Sequence, residues 1–226
     1  MTAPTWDRYG HLTPDAPEAQ RDVWALYALV HARLCEALRE LATRSAEPVF
    51  AAMLDEQARA AARLVEDLAE AAGEAGRERV SSDVAVARWD GALSEVLASG
   101  HVPSLIATGS ATLGEVAHAP LRLLAEVAGP GAGALAGRVL VAEPHRPLVG
   151  LFEVVRPPEA EREQLRRLLR HLHGELSSVF AEWIQTFHTL GVDGESVGEE
   201  GRASVRRAAH ALGLKVTRAD LGVFGP

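Results

Sequence analysis

Residues 157–187 read PPEAEREQLRRLLRHLHGELSSVFAEWIQTF, and their spacing decides the fold class. Leu165, Leu169, Leu172, Leu176, Val179, Trp183 and Phe187 recur at steps of three and four, which places them on one face of a helix. Pro157 and Pro158 supply a start signal, and Glu159, Glu161 and Glu163 suit the positive end of the helix dipole. A helix of roughly 30 residues extends about 45 Å at about 1.5 Å per residue, so its packing partners must be long as well.

Upstream of this helix the same periodicity recurs. Residues 21–44 carry Val23, Tyr27, Val30, Leu34, Leu38 and Leu41 at helical spacing. Pro48 then opens a second helix with Val49, Met53, Ala60, Leu64 and Leu68 on one face. So short a link forces the two into an antiparallel hairpin. Residues 73–79 read as a loop, and Ser81, Ser82 and Asp83 as caps for a third helix bearing Val86, Trp89, Leu93 and Leu97 and stopping near Gly100. A fourth helix runs from Pro103 toward Glu126, weakened by Gly109 and Gly114 and kinked near Pro120. Pro144 and Pro147 interrupt the apolar stretch 134–155. Residues 191–198 read as a loop and 199–212 as a short closing helix. No strand-like alternation and no internal repeat occurs, so the chain reads as an all-α, up-and-down helical bundle with an extra C-terminal helix.

Composition narrows the role. At 226 residues and 47% hydrophobic content the chain suits one compact domain, assigned to residues 21–216, with an extended proline-broken arm at 1–20 and a tail at 217–226. The amino-terminal residues show no basic-then-apolar signal pattern, and no run of about 18 apolar residues occurs; a cytoplasmic protein with no membrane partner is expected. Cys35 is the only cysteine and reads as a small core or boundary residue. The net charge of −8 gives no field for a phosphate backbone, so nucleic acid is excluded as the main partner. Residues 209–214 look like a helix-turn-helix turn, but 217–221 is too short a recognition helix.

Carboxylate-bridged di-metal sites in bundles draw a carboxylate from each of two helices and a Glu-x-x-His from each of two others, since positions i and i+3 share a face. The only Glu-x-x-His here is Glu115 with His118. On the second helix Glu56 falls at the edge of the apolar stripe and Asp55 points away; where histidine would follow Glu56, the chain has Arg59, a fixed cation that repels a metal ion and pairs with the acid. His31 lies at the edge of the first stripe and Glu36 faces outward. Glu143 and His145 flank Pro144 and lie about 200° apart on a helix, so they form no Glu-x-x-His pair. His171 and His173 lie off their stripe and read as solvated.

The order of these features resembles the ferritin-like subunits of the phenylacetyl-CoA ring epoxidase of phenylacetate degradation. The likeness spans residues 21–216. It rests on Leu54-Asp55-Glu56-Gln57-Ala58-Arg59 and Leu64-Val65-Glu66-Asp67-Leu68-Ala69-Glu70, on Arg88-Trp89-Asp90, on residues 134–151, and on the ending Leu190-Gly191-Val192 through Leu212-Gly213-Leu214-Lys215-Val216. His31, Arg59 and Pro144 depart from the catalytic pattern, which brings the chain nearer the non-catalytic structural subunit of that family. The resemblance implies a ferritin-like bundle with a degenerate di-metal site, of which His31, Glu56, Arg59, Glu115, His118, Glu143 and His145 are the relict positions. No catalytic residue, no bound metal and no cofactor are expected. The alternative is an oxygenase holding two iron or manganese ions on Glu56, Glu115, His118, Glu143 and His145. Association is expected as a homodimer or as a heteromer with a catalytic ferritin-like homologue, because the stripe from Leu165 to Phe187 meets only broken helices within the chain and Trp24, Trp6 and Tyr9 add interface-type aromatics.

Overall fold

The computed structural model describes residues 17–128, 130–215 and 217. Among these residues the fold is all-α: α1 (Pro17–Arg44), α2 (Pro48–Ser81), α3 (Val84–Ser99), α4 (Val102–Ala107), a π-helical segment (Thr108–Val116), α5 (Ala119–Val127), α6 (Pro130–Ala142), α7 (Arg146–Val155), α8 (Glu159–Thr189) and α9 (Gly194–Ala211). The helix begins at Pro17, so residues 17–20 are helical where an extended arm is expected; the rest of that arm, with Trp6 and Tyr9, lies outside the described residues, as does most of 217–221.

The hairpin of α1 and α2 is antiparallel. Cys35 Sγ lies 3.3 Å from the Ala58 carbonyl oxygen, and Arg79 meets Asp22 at 2.6 Å, so one residue number falls as the other rises. Cys35 is buried, as expected. Gly73 leaves helical geometry at φ 65° and ψ 176°, but the chain resumes the helix at once and continues to Ser81. The expected loop at 73–79 is therefore a one-residue kink, which glycine alone tolerates cheaply. Gly76, three residues on, lets the hairpin close: a Cβ there would sit 2.8 Å from the Arg21 carbonyl oxygen.

Asp83 starts α3, accepting from the Val86 backbone N–H at 3.0 Å, and its second oxygen accepts from Trp183 Nε1 at 3.0 Å. One buried carboxylate thus caps α3 and ties it to α8. Arg88 and Glu175 pair at 3.4 Å farther along, which sets α3 and α8 antiparallel. Arg33 of α1 grips Asp90 of α3 through two hydrogen bonds of 2.5 and 2.7 Å.

Every member of the α8 stripe, from Leu165 to Phe187, is 5% exposed or less. Each such side chain contributes about 1.5–3 kcal/mol on burial, and α1, α3, α4, the π-helical segment and α9 provide the cover. Short helices laid side by side do the work of one long partner. The premise that this face is left open for a second chain is corrected, and Trp24, also expected at an interface, is 3% exposed inside the core. His173 is buried too, whereas His171 is exposed as expected. Asp193 accepts from the Ser196 backbone N–H at 2.9 Å and starts α9 at Gly194, earlier than the expected 199. No described helix is long and apolar enough to cross a membrane.

Candidate functional site

Three histidines that the sequence places far apart meet in the core. His31 of α1, His118 and His145 are each 4% exposed or less. His118 precedes α5 and His145 precedes α7 at the cap position, each with a proline in the first turn of the following helix. The same His-x-Pro arrangement occurs at His101, which precedes α4 at the surface and pairs with Glu161 at 2.8 Å. Proline fixes where each helix starts, so the histidine two residues earlier is held at the helix mouth.

The His31 and His118 rings lie 5.3 Å apart between centroids with planes 17° apart, and their Nε2 atoms face each other at 3.4 Å. His31 Nδ1 lies 2.9 Å from the Tyr27 carbonyl oxygen, which can only accept, so Nδ1 carries the proton and Nε2 is bare. His118 Nε2 must therefore donate. Both rings are neutral: burial pushes His31 down to about 4, eased by the bond to Tyr27 and reinforced by His145, and burial together with His31 and His145 pushes His118 well below the ordinary histidine range. His145 meets His118 edge-on at 5.2 Å and 76°, and its Nδ1 is buried with no hydrogen bond.

The backbone around these rings is built for close approach. Ala117 N–H reaches back five residues to the Thr112 oxygen at 3.2 Å, the bond that defines a π-turn. Gly114 within that segment would carry its Cβ 2.2 Å from His145 Cγ, so only glycine admits the ring. Tyr27 Oη donates to the Ala117 oxygen at 2.7 Å and pins the end of the segment to α1. On the other side of the ring, Glu143 adopts φ 29° in the turn that presents His145.

Glu115 links this core to a charged network at the surface. His145 Nε2 lies 3.9 Å from its Oε1; Arg122 and Arg207 each lie 3.3 Å from Oε2. His145 and the two guanidiniums outweigh burial and hold the carboxyl down to about 2. Arg122 and Arg207 also share Glu200 Oε1 at 2.6 and 2.7 Å and Ser204 Oγ at 2.6 and 2.7 Å. Sequence reasoning passed over Arg122, Glu200, Ser204 and Arg207, although Glu200, Ser204 and Arg207 at spacings of four and three share one face of α9.

Of the seven relict positions, His31, Glu115, His118 and His145 come together; Glu56, Arg59 and Glu143 do not. Glu56 and Arg59 are exposed on α2, and Arg59 pairs at 3.3 Å with Asp55 rather than with Glu56. The one-turn reach from position 55 to 59 puts the guanidinium nearer the earlier acid. Replacing Arg59 with Ala is accordingly expected to change stability by under about 0.5 kcal/mol in a denaturant titration; a loss above about 1 kcal/mol would return Arg59 to the interior. Glu143 stands 43% exposed and pairs with Arg146 at 3.2 Å.

The residues present do not fit a carboxylate-bridged two-metal centre. One carboxylate, Glu115, reaches the histidines, and two arginines already neutralise it. Among the described residues no group of three or more histidine, cysteine or acidic side chains converges as a metal ion requires. No family model matches the chain, and no curated protein matches it.

Proposed function

We propose that the chain is a non-catalytic, ferritin-like bundle protein that acts by association, as a homodimer or with a catalytic ferritin-like homologue, and whose interior polar site is a di-metal centre in degenerate form. The observation that supports this most is the engagement of Glu115 by Arg122 and Arg207, which places fixed cations where a metal-binding carboxylate would need to be open. The oxygenase reading requires Glu56 and Glu143 beside Glu115, His118 and His145, and both of those acids face outward. The interior then serves to lock α1, the π-helical segment, α5, α7 and α9 in register. His31 and His118 pair with each other, and the two arginines are taken up by Glu115, Glu200 and Ser204.

Light scattering at micromolar concentration, combined with identification of any homologue that co-purifies from the native cell, tests the associative part. A dimer, or a complex with a ferritin-like oxygenase subunit, is the expected result. A strictly monomeric protein with no homologue bound would overturn it.

A further inference from the structure

The end of α7, the start of α8 and the end of α9 surround an open pocket of about 560 Å³. Arg156, Arg162 and His210 line it, with Phe152 and Leu212 among its apolar walls, and no acid among the described residues does. Three basic side chains around one opening stand out in a chain of net charge −8.

Arg162 is half-buried, and its Nε donates to the Pro157 carbonyl oxygen at 3.0 Å, its only bond among the described residues. Arg33, Arg79, Arg122 and Arg166, half-buried like it, each meet a carboxylate. Glu163, the next residue along α8, is held through both oxygens by Arg166 at 2.7 and 2.9 Å. The bond to Pro157 orients the guanidinium, and Nη1 and Nη2 are left as donors without an acceptor. A Cβ at position 213 would lie 4.0 Å from Nη1, so Gly213 leaves that end uncovered.

Arg156 adds a second, independent observation. It caps α7 at φ 42° and ψ 64°, the left-handed region where a helix ordinarily ends on glycine. Strain kept for an arginine that lines a pocket marks a place where that side chain is used. The carbonyl ends of α7 and α9 also meet here, each with about half a negative charge that nearby cations offset. Two guanidiniums exceed that sum, and the Ala208, Ala209 and His210 oxygens already accept from the N–H groups of Leu212, Leu214 and Gly213. The pocket is left with a positive surplus.

We propose that this pocket binds the phosphate group of a small soluble phosphomonoester, held by Arg162 and Arg156 with His210 as a third donor. Two planar forks and an imidazole from separate elements suit a tetrahedral dianion better than a flat carboxylate. The volume exceeds a bare phosphate and leaves room beside Phe152 and Leu212 for the organic part of the ester. A nucleic acid or an anionic membrane would bring many charges against a chain of −8, whereas one phosphate senses mainly the charges within a Debye length, about 8 Å at physiological salt. The site is remote in sequence from His31 and His118 and does not depend on the associative role.

Isothermal titration of the full chain with phenyl phosphate, inorganic phosphate and benzoate at physiological salt tests the proposal. One saturable site per chain is expected, severalfold tighter for phenyl phosphate than for inorganic phosphate and at least tenfold tighter than for benzoate. Arg162→Gln and Arg156→Gly should each weaken phenyl phosphate at least tenfold. Arg156→Gly relaxes the left-handed backbone, so its thermal midpoint should equal or exceed that of wild type, which separates lost binding from lost structure. Phenyl phosphate that fails to saturate the chain at millimolar concentration would overturn the proposal. So would benzoate bound as tightly as the ester, affinity unchanged in both variants, or binding to phosphatidate vesicles without binding to phenyl phosphate, which assigns the cations to a membrane surface.

Discussion

Lowering the pH from 7 to 4 is expected to cost the fold about 3 kcal/mol through His31 alone, since its folded value of about 4 lies well below the ordinary 6.5. The sign follows from proton binding. Between these values the unfolded chain takes up a proton that the folded chain refuses, so stability is complete above about 6.5 and falls as acid is added. His118 is shifted in the same direction and adds to the loss. The groups facing the pair are Tyr27 on α1, Arg122 on α5 and His145 before α7. Glu115 acts lower on the scale: held at about 2, it stabilises above its ordinary 4.5 and its contribution is lost as pH falls through 2. Urea midpoints at pH 7, 5.5 and 4.5 should therefore decline before most carboxylates titrate. In a His31→Leu chain the decline should be smaller by about half. A wild-type midpoint that holds steady from pH 7 to 4.5 would show that these rings are already accessible to protons.

Asp83→Ala should cost about 2–4 kcal/mol. The carboxylate supplies the cap of α3, about 1 kcal/mol, and it accepts from the buried indole N–H of Trp183, whose loss leaves an unsatisfied donor worth about 1–3 kcal/mol. Asp83→Asn keeps one oxygen for the cap but turns its NH2 toward the Trp183 N–H, so it should recover only the cap share, about 1 kcal/mol. Equilibrium denaturation separates the two variants, and the near-ultraviolet signal of Trp183 reports the local change. An Asp83→Ala chain within about 1 kcal/mol of wild type would mean that water replaces both bonds, and the α3–α8 junction would then be more open than the 6% exposure of Asp83 implies.

Much of the fold is legible in the sequence because its helices carry strong local signals. The α8 stripe, the proline at the head of α2 and the Asp83 cap each act within a few residues, and each appears where periodicity and turn chemistry put it. The misreadings come from long-range packing. Gly73 looks like a terminator, yet good helix formers follow it and α1 lies alongside, so the helix resumes after one residue. The stripe of α8 looked short of partners because α4, the π-helical segment and α9 are individually weak helices, and their summed cover cannot be seen from any one of them.

The site was legible by composition and illegible by geometry. His31, Glu115, His118 and His145 were singled out, but a straight-helix wheel set Glu115 and His118 on one face, whereas the π-turn and the break at Ala117 turn Glu115 toward the arginines and His118 toward His31. The wheel also puts Glu56 at the edge of the apolar stripe, whereas the hairpin buries Leu54 and Ala58 and leaves Glu56 exposed. Arg122 and Arg207 carried no signal, because an arginine in this sequence is the ordinary cation and nothing local marks which ones face inward.

The central claim is that the polar interior is closed by its own charges and hydrogen bonds and assembles no two-metal centre. Iron and manganese content, measured on protein expressed in medium supplemented with both metals and then passed through gel filtration, tests it most directly. The predicted result is metal well below one equivalent per chain, with Arg122→Ala and Arg207→Ala chains binding no more than wild type because a single carboxylate cannot bridge two ions. Iron or manganese retained at one to two equivalents per wild-type chain would contradict it.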